Sequence, residues 1–272
     1  MKVTFLGTAA AEGIPSPFCD CFVCEHAREH KGQHIRKRQS VLINDDLLID
    51  MGPDLFASCA QLGLSLTKLN YALITHSHGD HFQPFNLQMR AKGFRLATEL
   101  PQLTFVAPPS VLTLWDHSGS GDAAAQIRRI PFLPNRSVSL PPYRVNSIEA
   151  SHNEGIGDAM NYVIDDGNRR LLYASDTGLY REHVWETLKP FRFDAVIVEC
   201  TIGVRKSSRM HMCIDDMKIM LRNLRELGCI NDRTQVVATH FSHQQLEPLE
   251  AIARYLHEFG VQCAYDGMIL EV

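Results

Sequence analysis

Apolar and polar positions along the chain fall into two alternating rhythms. Short β-branched and apolar runs bounded by Gly, Asp or Asn predict strands: KVTFLG, SVLIN, LLIDMG, YALITH, LTFVAP, YRVNSIEA, MNYVID, RRLLYAS, DAVIVEC, TQVVATH and CAYDGMILEV. Between them, patterns of helical period predict helices over residues 53–62, 84–92, 110–117, 182–188, 214–227 and 244–258. The early strands follow one another as in a meander, and the later ones alternate with helices. The fold class is therefore mixed α/β, with helices covering the outer faces of sheets. Residues 119–136 contain Gly, Pro and Ser and read as the longest loop. The chain shows no short-period repeat and no low-complexity tract.

Four of the strand-like runs end in residues that bind metals. The run at residues 71–75 leads into His76-Ser77-His78-Gly79-Asp80-His81, four strong ligands within six residues. A polar loop with a capping Asp and solvated histidines is the plainer reading, but ligands this dense are hard to satisfy with protein hydrogen bonds alone. His152 follows YRVNSIEAS, Asp176 follows RRLLYAS, and His240 follows TQVVAT. Each alone reads as a cap or turn residue. Together they place reactive side chains on loops at one edge of a rigid sheet. Imidazole and carboxylate ligands suit zinc, manganese or iron.

Composition narrows the partners. The 272 residues are 45% apolar, with a net charge of -4 and a pI of about 6.3, so no global basic field calls for nucleic acid or an anionic membrane. No apolar run approaches the ~20 residues of a membrane-spanning helix. The opening MKVTFLGTAA runs straight into a strand pattern, so a cytoplasmic location is expected and the eight cysteines are expected to stay reduced. The segment at residues 18–26, FCDCFVCEH, gathers Cys19, Cys21 and Cys24 too tightly for ordinary packing and suggests a metal, though a closed zinc site wants a fourth ligand.

The element H-x-H-x-D-H at His76–His81, followed downstream by a His, an Asp and a final His, resembles the metallo-β-lactamase fold superfamily. The likeness runs from the turn at Leu6-Gly7-Thr8 to Asp266-Gly267-Met268. It implies a four-layered αββα sandwich and one domain over residues 1–272, since ligands lie on both sides of the 119–136 segment. It also implies two divalent ions, zinc or manganese with iron and nickel as alternatives. His76, His78 and His152 would hold one ion, and Asp80, His81 and His240 the other. Asp176 would bridge them, and a hydroxide between the ions would be the nucleophile. Such a pair lowers the pKa of water and clamps both oxygens of an in-line displacement. Asp50, in LLIDMG, is expected to support the ligand loops.

His243, in Thr239-His240-Phe241-Ser242-His243, then becomes available to Cys19, Cys21 and Cys24 as the fourth ligand of a structural zinc; the plainer reading is a surface histidine at a helix start. C-x-C-x-x-C combined with T-H-x-S-H is similar to the PhnP-type cyclic phosphodiesterases. That likeness implies a small phosphodiester substrate, such as a phosphoribosyl 1,2-cyclic phosphate. It also implies a role for His211, in Arg209-Met210-His211-Met212, as phosphate ligand or proton donor to the leaving oxygen, with Asp80 at the catalytic centre. Arg205, Lys206 and Arg209 are candidates for attracting an anion; they and Arg36-Lys37-Arg38 read otherwise as a solvated face. Gly7, Gly13 and Pro15 read as turn residues near the site. His26, His30, His34, His117, His183 and His257 read as isolated surface residues. Cys59, Cys200, Cys213, Cys229 and Cys263 read as reduced core positions.

Four other functions stay open: a ribonuclease Z-like nuclease, a thioester or lactam hydrolase, a PqqB-like accessory protein and a metal-binding scaffold without chemistry. A long basic insertion for gripping tRNA is not evident, which argues against nucleic acid as partner. Substrate choice would lie in residues 82–102, 119–136 and 203–212. Any oligomer is expected to be a homodimer, the commonest kind.

Overall fold

The computed structural model describes residues 1–96, 99–206 and 208–272. Ala97, Thr98 and Ser207, which fall within two of the segments expected to govern substrate choice, lie outside the described residues. The strands are β1 (Lys2–Gly7), β2 (Ser40–Ile43), β3 (Leu47–Ile49), β4 (Tyr71–Leu73), β5 (Leu103–Ala107), β6 (Ile127–Pro131), β7 (Ser137–Leu140), β8 (Tyr143–Glu149), β9 (Met160–Asp165), β10 (Arg170–Ala174), β11 (Ala195–Glu199), β12 (Gln235–Thr239), β13 (Val261–Cys263) and β14 (Ile269–Glu271). They form two sheets, ordered β14-β1-β2-β3-β4-β5-β6 and β13-β12-β11-β10-β9-β8-β7. The helices are α1 (Phe22–His30), α2 (Leu55–Leu62), α3 (Pro84–Gln88), α4 (Pro109–His117), α5 (Asp122–Ala125), α6 (Glu182–Leu188), α7 (Ile214–Glu226) and α8 (Leu249–His257).

Strand alternation explains the layering. In β3, Leu47 and Ile49 enter the core between the sheets, and Leu48 faces the opposite side. In β11, Ala195 and Ile197 point inward while Val196 and Val198 face the other way. Leu55 of α2, Leu87 of α3, and Val111 and Trp115 of α4 cover the first sheet. Val23 of α1, Val184 of α6, Met217, Met220 and Leu224 of α7, and Ile252 of α8 cover the second. Central strands buried on both faces read as continuous apolar runs. The result is the expected αββα sandwich.

Several sequence expectations need correction. The meander does not precede the α/β pattern once; antiparallel pairing gives way to parallel pairing in each sheet, at β3–β4 and again at β10–β11. Residues 119–136 are not one loop, since α5 and β6 lie within them. Helix α1 and strand β7 went unpredicted: α1 buries only Val23, Cys24 and Ala27, and β7 is mostly exposed. The run CAYDGMILEV divides between β13 and β14, in different sheets. The expected helix at 244–258 begins only at Leu249 after a 3-10 turn, His243–Gln245. Pro248 accounts for the delay, because the residue before a proline is pushed out of helical geometry. The helix at 84–92 likewise stops at Gln88, with a separate 3-10 turn at Lys92–Phe94.

Arg36-Lys37-Arg38 is not a solvated face. Arg36 is buried and donates to Thr8 Oγ1 and the Ala264 carbonyl; Lys37 pairs with Asp266 at 3.1 Å and Arg38 with Asp54 at 2.9 Å. These bonds fasten the N-terminal loop to the body of the fold. Among the described residues no helix is long and apolar enough to cross a membrane.

Candidate metal centre

Parallel pairing of β3 with β4 and of β10, β11 and β12 with one another brings the carboxyl ends of these strands to one edge. Asp50 follows β3, residues 75–81 follow β4, Asp176 follows β10, Glu199 ends β11 and His240 follows β12. Asp50, Asp176 and His240 have left-handed φ values of 63°, 57° and 59°. Each such non-glycine conformation costs of order 1–3 kcal/mol and persists only where its surroundings enforce it, commonly at functional sites. Gly52 marks a close approach: a Cβ there would sit 1.9 Å from the Asp80 carbonyl oxygen. Gly178 is similar, its would-be Cβ 2.1 Å from the Arg209 carbonyl oxygen. Only glycine lets these loops meet.

Buried Asp50 orders the loop after β4. Its carboxylate accepts from Thr75 N at 2.8 Å and Thr75 Oγ1 at 2.9 Å, and lies 2.7 Å from His81 Nδ1. A carboxylate only accepts, so His81 carries its proton on Nδ1 and presents Nε2 to the site. Thr75 Oγ1, its own proton given to Asp50, accepts from His76 Nδ1 at 3.0 Å. The Met210 carbonyl accepts from His152 Nδ1 at 3.2 Å. Thr201 Oγ1 lies 2.8 Å from His240 Nδ1. The supports outside the ligand ring thus fix which nitrogens face inward.

Inside, His76 Nε2 and His152 Nε2 lie 2.9 and 3.1 Å from His78 Nδ1, and His76 Nε2 is 3.2 Å from Asp176 Oδ2. His81 Nε2 lies 3.1 Å from Asp80 Oδ2 and 3.0 Å from Asp176 Oδ2; His240 Nε2 is 3.7 Å from the same Asp176 oxygen. Asp176 belongs to both clusters. His81 Nε2, His240 Nε2 and Asp176 Oδ1 are buried without a hydrogen bond, despite their close neighbours. Ligands around a tetrahedral ion with bonds of 2.0–2.1 Å stand about 3.3 Å apart. Converging lone pairs at such separations, with orphaned buried atoms, fit divalent cations and do not fit a self-sufficient hydrogen-bond network.

Charge points the same way. Burial holds His76 and His78 below the usual imidazole range and lowers His152 to about 4, leaving them in the neutral, ligating form. Burial alone would raise Asp80 and Asp176; His81 beside the first and His240 beside the second outweigh it, and both carboxyls lie below the usual range. Burial would lower His81, but Asp80 and Asp50 push it well up, so a cation binding there displaces a proton.

His211 stands over this cluster, its Nδ1 3.1 Å from both Asp176 Oδ1 and Glu199 Oε1. Burial opposes its charge, but these carboxylates prevail and push it up to about 10. Sequence reading missed Glu199. It is fully buried and accepts from the backbone N–H groups of Thr177, Thr201 and Met212 at 2.8, 3.0 and 3.0 Å. The available signal was a charged residue closing the apolar run AVIVE.

Cys19, Cys21, Cys24 and His243 also meet, with all four ligand atoms within 4.8 Å of one another. The loop after β1 is stitched to the one after β12 by Ala10 N to Phe241 O and Phe241 N to Thr8 O, both 2.9 Å. That stitch carries the cysteines toward His243. Cys21 Sγ is 3.5 Å from His243 Nδ1, close to the ~3.6 Å expected across a tetrahedral zinc. Burial would raise Cys21, yet the Cys24 backbone N–H and His243 bring it down to about 7. Burial and the neighbouring sulfurs push Cys24 up to about 12. Three sulfurs so close do not ionise together without a cation.

A cleft of about 310 Å³ opens onto the larger cluster, lined also by Glu12, Ile202, Ser242 and Gln244. Arg205 donates to Gln244 Oε1 at 3.0 Å on its rim, while Lys206 and Arg209 are exposed. His117, His183 and His257 are exposed as expected. His26 and His34 are half-buried and face Glu250, which corrects their reading as isolated surface residues.

A profile of the beta-lactamase superfamily domain matches residues 46–241. The chain belongs to that superfamily. Among curated protein sequences no relative matches. Solved structures with the same fold include a diphosphatase of the PhnP family, 21% identical at a TM-score of 0.76 over 100% of this chain and 96% of the other. Zinc-bound PqqB from Methylobacterium extorquens is 18% identical, with a TM-score of 0.75 and full coverage of both chains. The short form of human tRNase Z is 18% identical, with a TM-score of 0.68 over 100% of this chain and 99% of its own.

Proposed function

We propose that the chain is a metal-dependent hydrolase, most specifically a phosphodiesterase acting on a small or cyclic phosphodiester. The observation that carries this reading is Asp176, shared by two ligand clusters that open onto a cleft and still hold unsatisfied donor atoms. His76, His78, His152 and Asp176 would hold one divalent ion, and Asp80, His81, His240 and Asp176 the other. Bound there, zinc, manganese or a similar pair would supply Lewis-acid polarisation and an activated water. The chain's own residues do the rest. Asp50 and Thr75 hold His81 and His76 in fixed tautomers, Thr201 Oγ1 braces the His240 ring at Nδ1, and Glu199 holds His211 over the cleft in its protonated form. That imidazolium attracts a phosphoryl oxygen or donates a proton to the departing alkoxide, a contribution typically of about 10²–10⁴-fold. A cleft of about 310 Å³ supports a small substrate rather than a structured RNA. Cys19, Cys21, Cys24 and His243 would hold a structural zinc behind this wall.

A diphosphate is the second reading, since one solved structure of this fold is a PhnP-family diphosphatase. The test is a panel of cyclic ribosyl phosphates, linear phosphodiesters and nucleoside diphosphate esters, run on metal-loaded protein. Turnover of a phosphodiester above the diphosphate esters supports the first reading. The reverse order supports the second, and turnover of thioesters or lactams alone would overturn both.

A further inference from the structure

A second histidine cluster lies outside the sites above, in the sequence His26-Ala-Arg-Glu-His30-Lys-Gly-Gln-His34. Positions four apart on a helix share a face. In α1, His30 stacks on His26 with ring centroids 3.9 Å apart, and its Nδ1 lies 2.9 Å from the His26 carbonyl oxygen. The helix ends at His30 with Lys31 as its cap, and a 3-10 turn, Gly32–His34, folds His34 back toward the same face. Glu250, in the first turn of α8, completes the group. Its Oε2 lies 3.3 Å from His26 Nε2, and its Oε1 lies 3.4 Å from His34 Nε2.

These separations are long for hydrogen bonds between imidazole and carboxylate, which cluster at 2.7–3.2 Å. They match the spacing of about 3.3 Å between ligands on one tetrahedral ion. The donor atoms of all three residues lie within 4.8 Å of one another. Arg36 lines the same small pocket as His26 and His34, and its guanidinium donates to Thr8 Oγ1 and the Ala264 carbonyl. We propose that His26, His34 and Glu250 form a further divalent-cation site, of the zinc, nickel or copper class favoured by imidazole. A cation there ties α1, which carries Cys24, to the start of α8, more than 200 residues later. His30 acts as a brace for the His26 ring.

The experiment compares zinc content after equilibrium dialysis, and thermal midpoint with and without zinc, for the wild type, Glu250→Gln and His34→Ala. His117→Ala serves as a control for adventitious histidine binding. Because the comparison is a difference between proteins that share every other ligand, it stands whether or not the catalytic reading holds. Each of the first two variants is expected to hold about one zinc fewer than the wild type, with a smaller zinc-induced rise in midpoint, while His117→Ala matches the wild type. Equal zinc in Glu250→Gln and the wild type would overturn the proposal, since binding by histidines alone does not need the carboxylate. Partly exposed Glu250 keeps this test readable even if His34→Ala folds poorly.

Discussion

The two principal ligand clusters are built from opposite materials and end in opposite states. At the sheet edge, five histidines and two aspartates form two groups that share Asp176, keep unsatisfied atoms and face a cleft. At the N-terminal loop, three cysteines and His243 gather four ligand atoms within 4.8 Å of one another. The imidazoles of the first are held from outside by Asp50, Thr75, Thr201 and Met210. The second is anchored mainly by its own loop, with Ser16 N donating to Cys24 Sγ at 3.3 Å. The difference teaches that ligand count alone does not separate chemistry from stapling. What separates them is whether orphaned donor atoms open onto space that a substrate can enter.

The largest effect should come from breaking the shared ligand. Asp176→Asn is expected to lower turnover roughly 10⁴-fold, the scale for losing a member of an interdependent set, with far-ultraviolet circular dichroism unchanged. His211→Ala should cost about 10²–10⁴-fold on an alkyl phosphodiester and much less on a p-nitrophenyl ester, whose leaving group needs no proton. The sign of its pH dependence follows from the raised His211: the proton is present below its pKa. The alkyl-ester rate should therefore fall only well above the ordinary imidazole range, and His211→Ala should lose that fall. Asp50→Asn should weaken metal affinity or activity about 10–100-fold by loosening His81, measured as the metal concentration giving half-maximal rate. Cys21→Ser should barely alter the rate of the folded enzyme, yet lose a zinc and about 4 kcal/mol of stability in urea unfolding. A Cys21→Ser protein with full zinc and unchanged stability would erase the contrast between the clusters.

The candidate ligands were legible because they sit at or just beyond the ends of apolar runs, and a run of strand residues with a polar end is a local pattern. Asp50 was legible for the same reason. Glu199 was not: its role depends on β11 lying between β10 and β12, which no local pattern states. The carbonyl of Met210 was invisible for a stronger reason, since every residue has one and only tertiary contact selects it. Helix α1 escaped because its buried stripe is three residues in a charged, histidine-rich segment. The pairing of His26 and His34 with Glu250 likewise needs the approach of α1 to the start of α8, although the spacing of the histidines was in plain view.

The central claim is that the open cluster is a hydrolytic metal centre. Its most direct test is hydrolysis of bis-p-nitrophenyl phosphate by zinc- or manganese-reconstituted protein, with Asp80→Ala as control. The account predicts metal-dependent turnover that disappears in the variant. Fully metallated wild-type protein without turnover, or turnover that persists in Asp80→Ala, would contradict it.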